Sequence, residues 1–305
     1  MSNVWKNTGW YFDAKSASEV MQVIARIGAH GSNHRFAWRG LPNINFEVRS
    51  SLHRAIADIS DDVSERTIRD KEDEIIKEAR KWGLGISGGH YVDDLQLLAD
   101  LQHFGVPTRL IDITSNPMTA LWFATEKVAR SPGDARNASG ILVAMNLPWY
   151  REDEDGDFPR TVFNTATTPP VTWDDFDGGL SSNRNRALKL KSPFIVSSSM
   201  PNPRLRAQEG YFISSRLPED SSGPLGDLSL SWEVGDEEDL RLLLTEDKER
   251  GFPKKLPFIA VRIPSKTKDQ IRNYLKLTYS RTARRLFPDY SGFASYGKWR
   301  DDLKK

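Results

Sequence analysis

The 305-residue chain carries a net charge of +1, with 43 Lys and Arg against 42 Asp and Glu. This excludes a broadly basic nucleic-acid coat but leaves room for a local basic groove. Cysteine is absent, which removes disulfides, thiolate nucleophiles and Cys-ligated zinc together. Nine tryptophans and an ordinary apolar content supply a core. No apolar run reaches the roughly 18 residues of a membrane span.

The N-terminus lacks a signal-peptide apolar core, so a soluble cytoplasmic protein without membrane contact is expected. Val20, Met21, Val23, Ile24 and Ile27 recur near helical spacing behind Ser16 or Ser18, predicting an amphipathic helix that ends near Ala29. His30 and His34 have zinc-like spacing but no following Glu, and they lie in a loop, so no metal site is expected. Residues 35–39 read as a strand with Phe36 and Trp38 on one face and Ala37 and Arg39 on the other. Gly40 then permits close approach to the backbone. An arginine at a strand end beside a glycine is suited to holding a phosphate through two N–H donors.

Residues 64–82 read as a charged helix whose run of Glu, Asp, Lys and Arg makes a solvated face. The connector at 83–89 matches two patterns by letter. Gly83, Gly85 and Gly88 fit a dinucleotide fingerprint, and Gly85, Ser87 and Gly89 fit a nucleophile elbow. Both patterns need a preceding strand, and here a helix precedes.

The chain is organised around residues 94–124. Leu95, Leu98 and Leu101 predict a helix that Gly105 and Pro107 stop; 109–113 read as a strand; Ser115 or Asn116 caps a new helix with Pro117 in its first turn. Gln102, His103, Thr108, Arg109, Asp112, Thr114 and Ser115 crowd this strand and its ends. Polar residues packed between apolar flanks are what a site on a strand-to-helix crossover looks like. Arg39, Gln102, His103, Asp112 and Thr114 are expected to line one cleft.

Further along, 140–147 read as a buried strand, and 194–199, 204–215 and 258–263 as others. Residues 237–251 read as a charged helix or a mobile segment, and 266–286 as one helix with Ile271, Tyr274, Leu275, Thr278 and Ala283 toward the core. The expected class is α+β, a mixed central β-sheet with flanking helices. A single domain over 1–305 is expected, with long surface insertions near 150–193 and 216–255.

The string Gln102-His-Phe-Gly-Val-Pro-Thr-Arg-Leu-Ile-Asp-Ile-Thr-Ser-Asn-Pro, followed by Ala120-Leu-Trp-Phe-Ala124, resembles the central motif of FRG domain proteins. Trp38-Arg39-Gly40 stands where that family has its Phe-Arg-Gly triplet. Ser50-Ser-Leu-His-Arg54, Arg206-Ala-Gln-Glu-Gly-Tyr-Phe212 and Leu286-Phe-Pro-Asp289 follow in the family's order. The succession of an early Arg, a Thr-Ser pair and a Gln-Glu-Gly is also similar to ADP-ribosyltransferases of the Arg, Ser-Thr-Ser, Glu type.

That resemblance implies an ADP-ribosyltransferase-like fold and NAD as the substrate cofactor. Arg39 would meet its phosphates and Thr114 and Ser115 its ribose pocket, with Gly40, Arg54, Gln102, Thr108, Arg109 and Gln208 completing the set. It also implies Glu209 as the catalytic carboxylate. Adjacent strand residues face opposite sides, however, so an inward Gln208 would leave the role to Asp112 or to no residue. The implied biology is a bacterial toxin or anti-phage effector with a protein or nucleic-acid acceptor and an antitoxin or other regulator as partner. Two other readings stand beside it: a non-catalytic nucleotide- or nucleic-acid-binding module, and a hydrolase using His103 and Asp112 as a base pair.

Overall fold

A computed structural model describes residues 3–30, 36–127, 138–147, 162–164, 183–190, 192–198, 201–230, 232–246 and 256–297. Most of the insertion expected at 150–193 lies outside these residues, as do Arg35 and His34. The strands are β1 (Tyr11–Phe12), β2 (Phe36–Leu41), β3 (Ile86–Ser87), β4 (His90–Tyr91), β5 (Ile111–Thr114), β6 (Gly140–Asn146), β7 (Val162–Asn164), β8 (Phe194–Ser197), β9 (Gly210–Ser214) and β10 (Phe258–Ile263). Eight of them form one sheet in the order β1-β10-β6-β2-β5-β9-β8-β7. The two outer pairs, β1 with β10 and β7 with β8, are parallel and the inner pairs are antiparallel, which makes the sheet mixed. The short β3 and β4 form a separate hairpin that begins in the connector at 83–89 and ends at Tyr91.

The flanking helices are α1 (Ala17–His30), α2 (Ser51–Ala57), α3 (Glu65–Lys81), α4 (Asp94–His103), α5 (Pro117–Ala124), α6 (Asn183–Ala187), α7 (Pro203–Ala207), α8 (Glu237–Thr245), α9 (Lys268–Tyr279), α10 (Ala283–Leu286) and α11 (Tyr290–Tyr296). On one sheet face Trp38, Leu142, Ala144, Ile259 and Val261 pack against apolar residues of α1, α5, α8 and α9. On the other, Ala37, Leu41, Ile113, Val143 and Ala260 pack against Trp5, Leu225 and Leu228. A third cluster joins Leu95, Leu98 and Leu101 of α4 to Phe194, Val196 and Phe212 of the sheet. Side-chain direction alternates along β5: Ile111 and Ile113 turn into the second cluster, while Asp112 is exposed on the opposite face.

Three local expectations need correction. The segment 204–215 is not a continuous strand: Asn202 caps α7, accepting from Leu205 N–H at 2.8 Å, and the strand begins only at Gly210. The helix read over 266–286 breaks at Ser280, whose left-handed backbone (φ 54°) separates α9 from α10. Tyr274, expected in the core, is 40% exposed, while Ile271 and Leu275 carry that face.

Helix α5 sits close on β2 and β6. A Cβ at Gly40 would overlap the Ala120 carbonyl oxygen, and one at Gly140 would overlap that of Ala124. Both obstacles are backbone and cannot swing aside. Gly40→Ala is therefore expected to lower stability by about 1–3 kcal/mol, as overpacking of a tight contact does. Chemical denaturation of the variant checks this, and an unchanged midpoint would show that α5 can slide.

Candidate functional site

Cross-strand pairs share a face of the sheet. Trp38 lies opposite Thr114, and Asp112 opposite Phe212, so these four side chains point to one side. There the α5 cluster and the α4 cluster stand apart and leave a cavity of about 220 Å³. Arg39, Gln102, His103, Asp112 and Thr114, expected in one cleft, all line it, and Gly40 and Gln208 line it too.

Strands β2 and β5 are matched at one pair, Trp38 with Thr114. Beyond it the Arg39 guanidinium donates through Nη1 to the backbone carbonyl of Asp112. Arg39 Nε is buried and has no hydrogen-bond partner. Desolvation pulls the pKa of Arg39 below the ordinary arginine value; the Asp112 charge opposes this and the nearby Arg54 charge adds to it. A guanidinium starts so high that it stays charged. The Asp112 side chain is exposed to the cavity and accepts no hydrogen bond from a described residue.

The cavity wall on the α4 side is held from below. The Thr108 hydroxyl, fully buried, donates to the Gln102 amide oxygen, and Thr108 N–H donates to Ser51 Oγ at 3.0 Å. The ring of His103 stacks edge-on against Phe104, and its Nε2 lies 3.9 Å from Asp289 Oδ2. On the opposite side, Thr114 Oγ1 donates to the Gln208 carbonyl at 2.7 Å, and Gln208 Nε2 donates to the Leu286 carbonyl at 3.0 Å. The threonine thus ties β5 to the turn before β9.

Several residues expected at the site lie elsewhere. Arg109 is 4% exposed and belongs to a buried ion network: Nε donates to Glu72 at 2.8 Å, and Arg184 Nη1 meets the same oxygen at 3.0 Å. Arg54 on α2, Thr108 and Ser115 are not among the lining residues; Ser115 is exposed, and its N–H donates to the Glu209 carbonyl. Glu209 also stands outside the lining. It occupies a left-handed turn (φ 49°) before β9, where its carboxylate accepts from Asn116 Nδ2 at 3.0 Å and pairs with Arg281 at 2.6 Å. Gln208, not Glu209, faces the cavity.

Residues outside the expected set complete it. Arg204 lines the cavity with its guanidinium 4.4 Å from the centre of the Phe287 ring, and its side chain makes no hydrogen bond or ion pair with a described residue. Phe123 and Phe212 supply apolar wall, and Asn202 joins them. The dipeptide Asn202-Pro203 repeats the cap-and-proline signal of Asn116-Pro117, and reading it as a helix start would have brought Arg204 forward. Among the described residues no group of His, Asp and Glu is placed to hold a metal ion, and no helix is long and apolar enough to cross a membrane.

No curated protein and no solved structure matches the chain. Residues 34–132 match the family model of the FRG domain. The match takes in Arg39, Gln102, His103, Asp112 and Thr114 and ends before the wall formed by Asn202, Arg204 and Gln208. The chain carries an FRG domain, and the walls formed by β2, α4, β5 and α5 belong to it.

Proposed function

We propose that the cavity binds NAD and that the chain transfers its ADP-ribosyl group, with Asp112 rather than Glu209 as the carboxylate beside the reacting ribose. The observation that carries this reading is one cavity whose lining includes two arginines, Arg39 and Arg204, and a single acidic residue, Asp112. Two planar cations suit a diphosphate. The volume suits a ribose with its phosphates more than a whole dinucleotide, since ligand pockets run from about 300 Å³ upward. Departure of nicotinamide builds positive charge on the ribose, and a nearby carboxylate lowers the energy of that charge. In this reading the chain is a cytoplasmic effector of the bacterial toxin or anti-phage type, modifying a protein or nucleic-acid acceptor and held in check by an antitoxin or other regulator.

The test is release of nicotinamide from NAD by the purified chain. Asp112→Asn is expected to keep NAD binding and lose about 10²–10³-fold in turnover, as removal of one transition-state electrostatic contact does. Glu209→Gln is expected to remain active, because its carboxylate is engaged by Asn116 and Arg281 outside the cavity lining. Labelled NAD bound with no release at all would favour the non-catalytic binding module, the reading that the engagement of Glu209 supports.

A further inference from the structure

Asp289 is the last residue of the Leu286-Phe-Pro-Asp289 string and caps α11. Its Oδ1 accepts from Gly292 N–H at 2.6 Å and from the Ser291 hydroxyl at 2.8 Å. Its second oxygen, Oδ2, is buried with no hydrogen-bond partner and lies 3.9 Å from His103 Nε2. A buried carboxylate oxygen without a partner is costly, and a protonated imidazole 3.9 Å away would offset that cost by its charge. The His103 ring forms part of the cavity wall.

We infer that His103 is the proton acceptor of the cavity and that Asp289 is its positioning residue, holding the imidazole and stabilising its protonated form. The pairing itself rests on geometry; its use as a base rests on the transferase reading above. In that use the C1′–N bond of NAD breaks and its electron pair stays with nicotinamide, which leaves neutral. The acceptor's oxygen or nitrogen bonds to C1′, and its proton passes to His103 Nδ1 while Nε2–H turns to Asp289. Solvent later takes the proton. Water or an alcohol, amine or amide group supplies the acceptor atom.

The charged groups around His103 are of both signs, with the carboxylate of Asp289 facing its Nε2. Asp289 faces it from the start of α11, and Asp100 lies one turn back on α4. Arg204 sits beside Asp289 from α7, and Asp112 and Arg39 belong to the same cavity. Burial acts to raise the pKa of Asp289, but the bonds from Gly292 and Ser291 and the charges of Arg204 and His103 outweigh it, leaving the carboxyl below its ordinary value. It is an anion at neutral pH.

The experiment is an NMR titration of the histidine ring signals of the whole chain, with the His103 signal assigned from its loss in His103→Gln. Asp289→Asn keeps an oxygen for Gly292 N–H, and Asn is as good a helix cap as Asp, so α11 should stay formed. Removing the negative charge is expected to move the midpoint of the His103 ring signal to lower pH, because a nearby anion favours the charged imidazole. The acid limb of the kcat/KM profile for nicotinamide release should move down by the same amount, with NAD affinity unchanged. A His103 signal that titrates alike in both proteins overturns the pairing. A shifted signal with an unmoved acid limb overturns the role as base. Absence of nicotinamide release from the unmodified chain at every pH overturns the transferase reading and the base role with it, which separates that failure from the first two.

Discussion

Arg39→Ala is expected to weaken NAD binding by about 10- to 100-fold, the loss that follows when a charge-assisted contact of about 1.5–3 kcal/mol is removed. Calorimetric titration with NAD is the measurement. Arg39 is the one cavity cation whose guanidinium is anchored at one end, through Nη1 to the Asp112 carbonyl, and still has an unpartnered buried Nε. An anchored fork loses less freedom on binding than a loose one. The fold should survive, since the change forfeits one hydrogen bond of about 1 kcal/mol and leaves a carbonyl that cavity water can reach. Arg39→Lys should recover part of the affinity, because a point charge replaces the charge but not the planar fork. NAD affinity unaltered in Arg39→Ala would end the transferase reading, whatever the activity of the other variants.

The part of the cavity lining that is legible in the sequence is the part whose signals are local. Gly105, with a left-handed φ of 90°, ends α4, and Asn116 with Pro117 starts α5, so Gln102, His103, Asp112 and Thr114 come into one place by the punctuation around them. Arg204 is illegible because α7 is a helix of five residues, too short for a period to show, so the sequence reads it as part of the strand that follows. Arg109 and Arg39 look alike in sequence, each an arginine beside a strand. What separates them is Glu72 on α3, which is fully buried although it sits in a charge run that reads as a wet face. One carboxylate facing inward among many facing out leaves no mark on composition. Glu209 turned on a backbone angle: a left-handed residue between α7 and β9 breaks the alternation on which the choice between Gln208 and Glu209 depended. The break at Ser280 has no Gly or Pro to announce it.

The largest loss of stability is expected from Glu72→Gln, about 3–5 kcal/mol, the range for breaking a buried ion pair by removing one partner. Glu72 Oε2 receives Arg109 Nε at 2.8 Å and Arg184 Nη1 at 3.0 Å, and the side chain has no exposure to solvent. The guanidiniums have other carboxylates near them: Glu65 lies 3.3 Å from Arg109, and Asp73 and Asp94 flank Arg184. Those partners keep some exposure to solvent, so the amide would leave two cations in the interior without the fully buried carboxylate they share. Glu74→Gln on the same helix is the control. Its carboxylate pairs with Lys71 at 2.7 Å with both side chains more than half exposed, a setting in which ion pairs contribute little. Urea denaturation should place Glu72→Gln far below the unmodified chain and Glu74→Gln close to it. The consequence reaches the cavity, because Arg109 stands two residues before β5, the strand that carries Asp112 and Thr114, and Thr108 beside it holds Gln102. At temperatures where Glu72→Gln is still folded, its NAD affinity should therefore fall, whereas that of Glu74→Gln should not. Equal midpoints for the two variants would mean that α3 carries its charges to no structural effect and that β5 is held by packing alone.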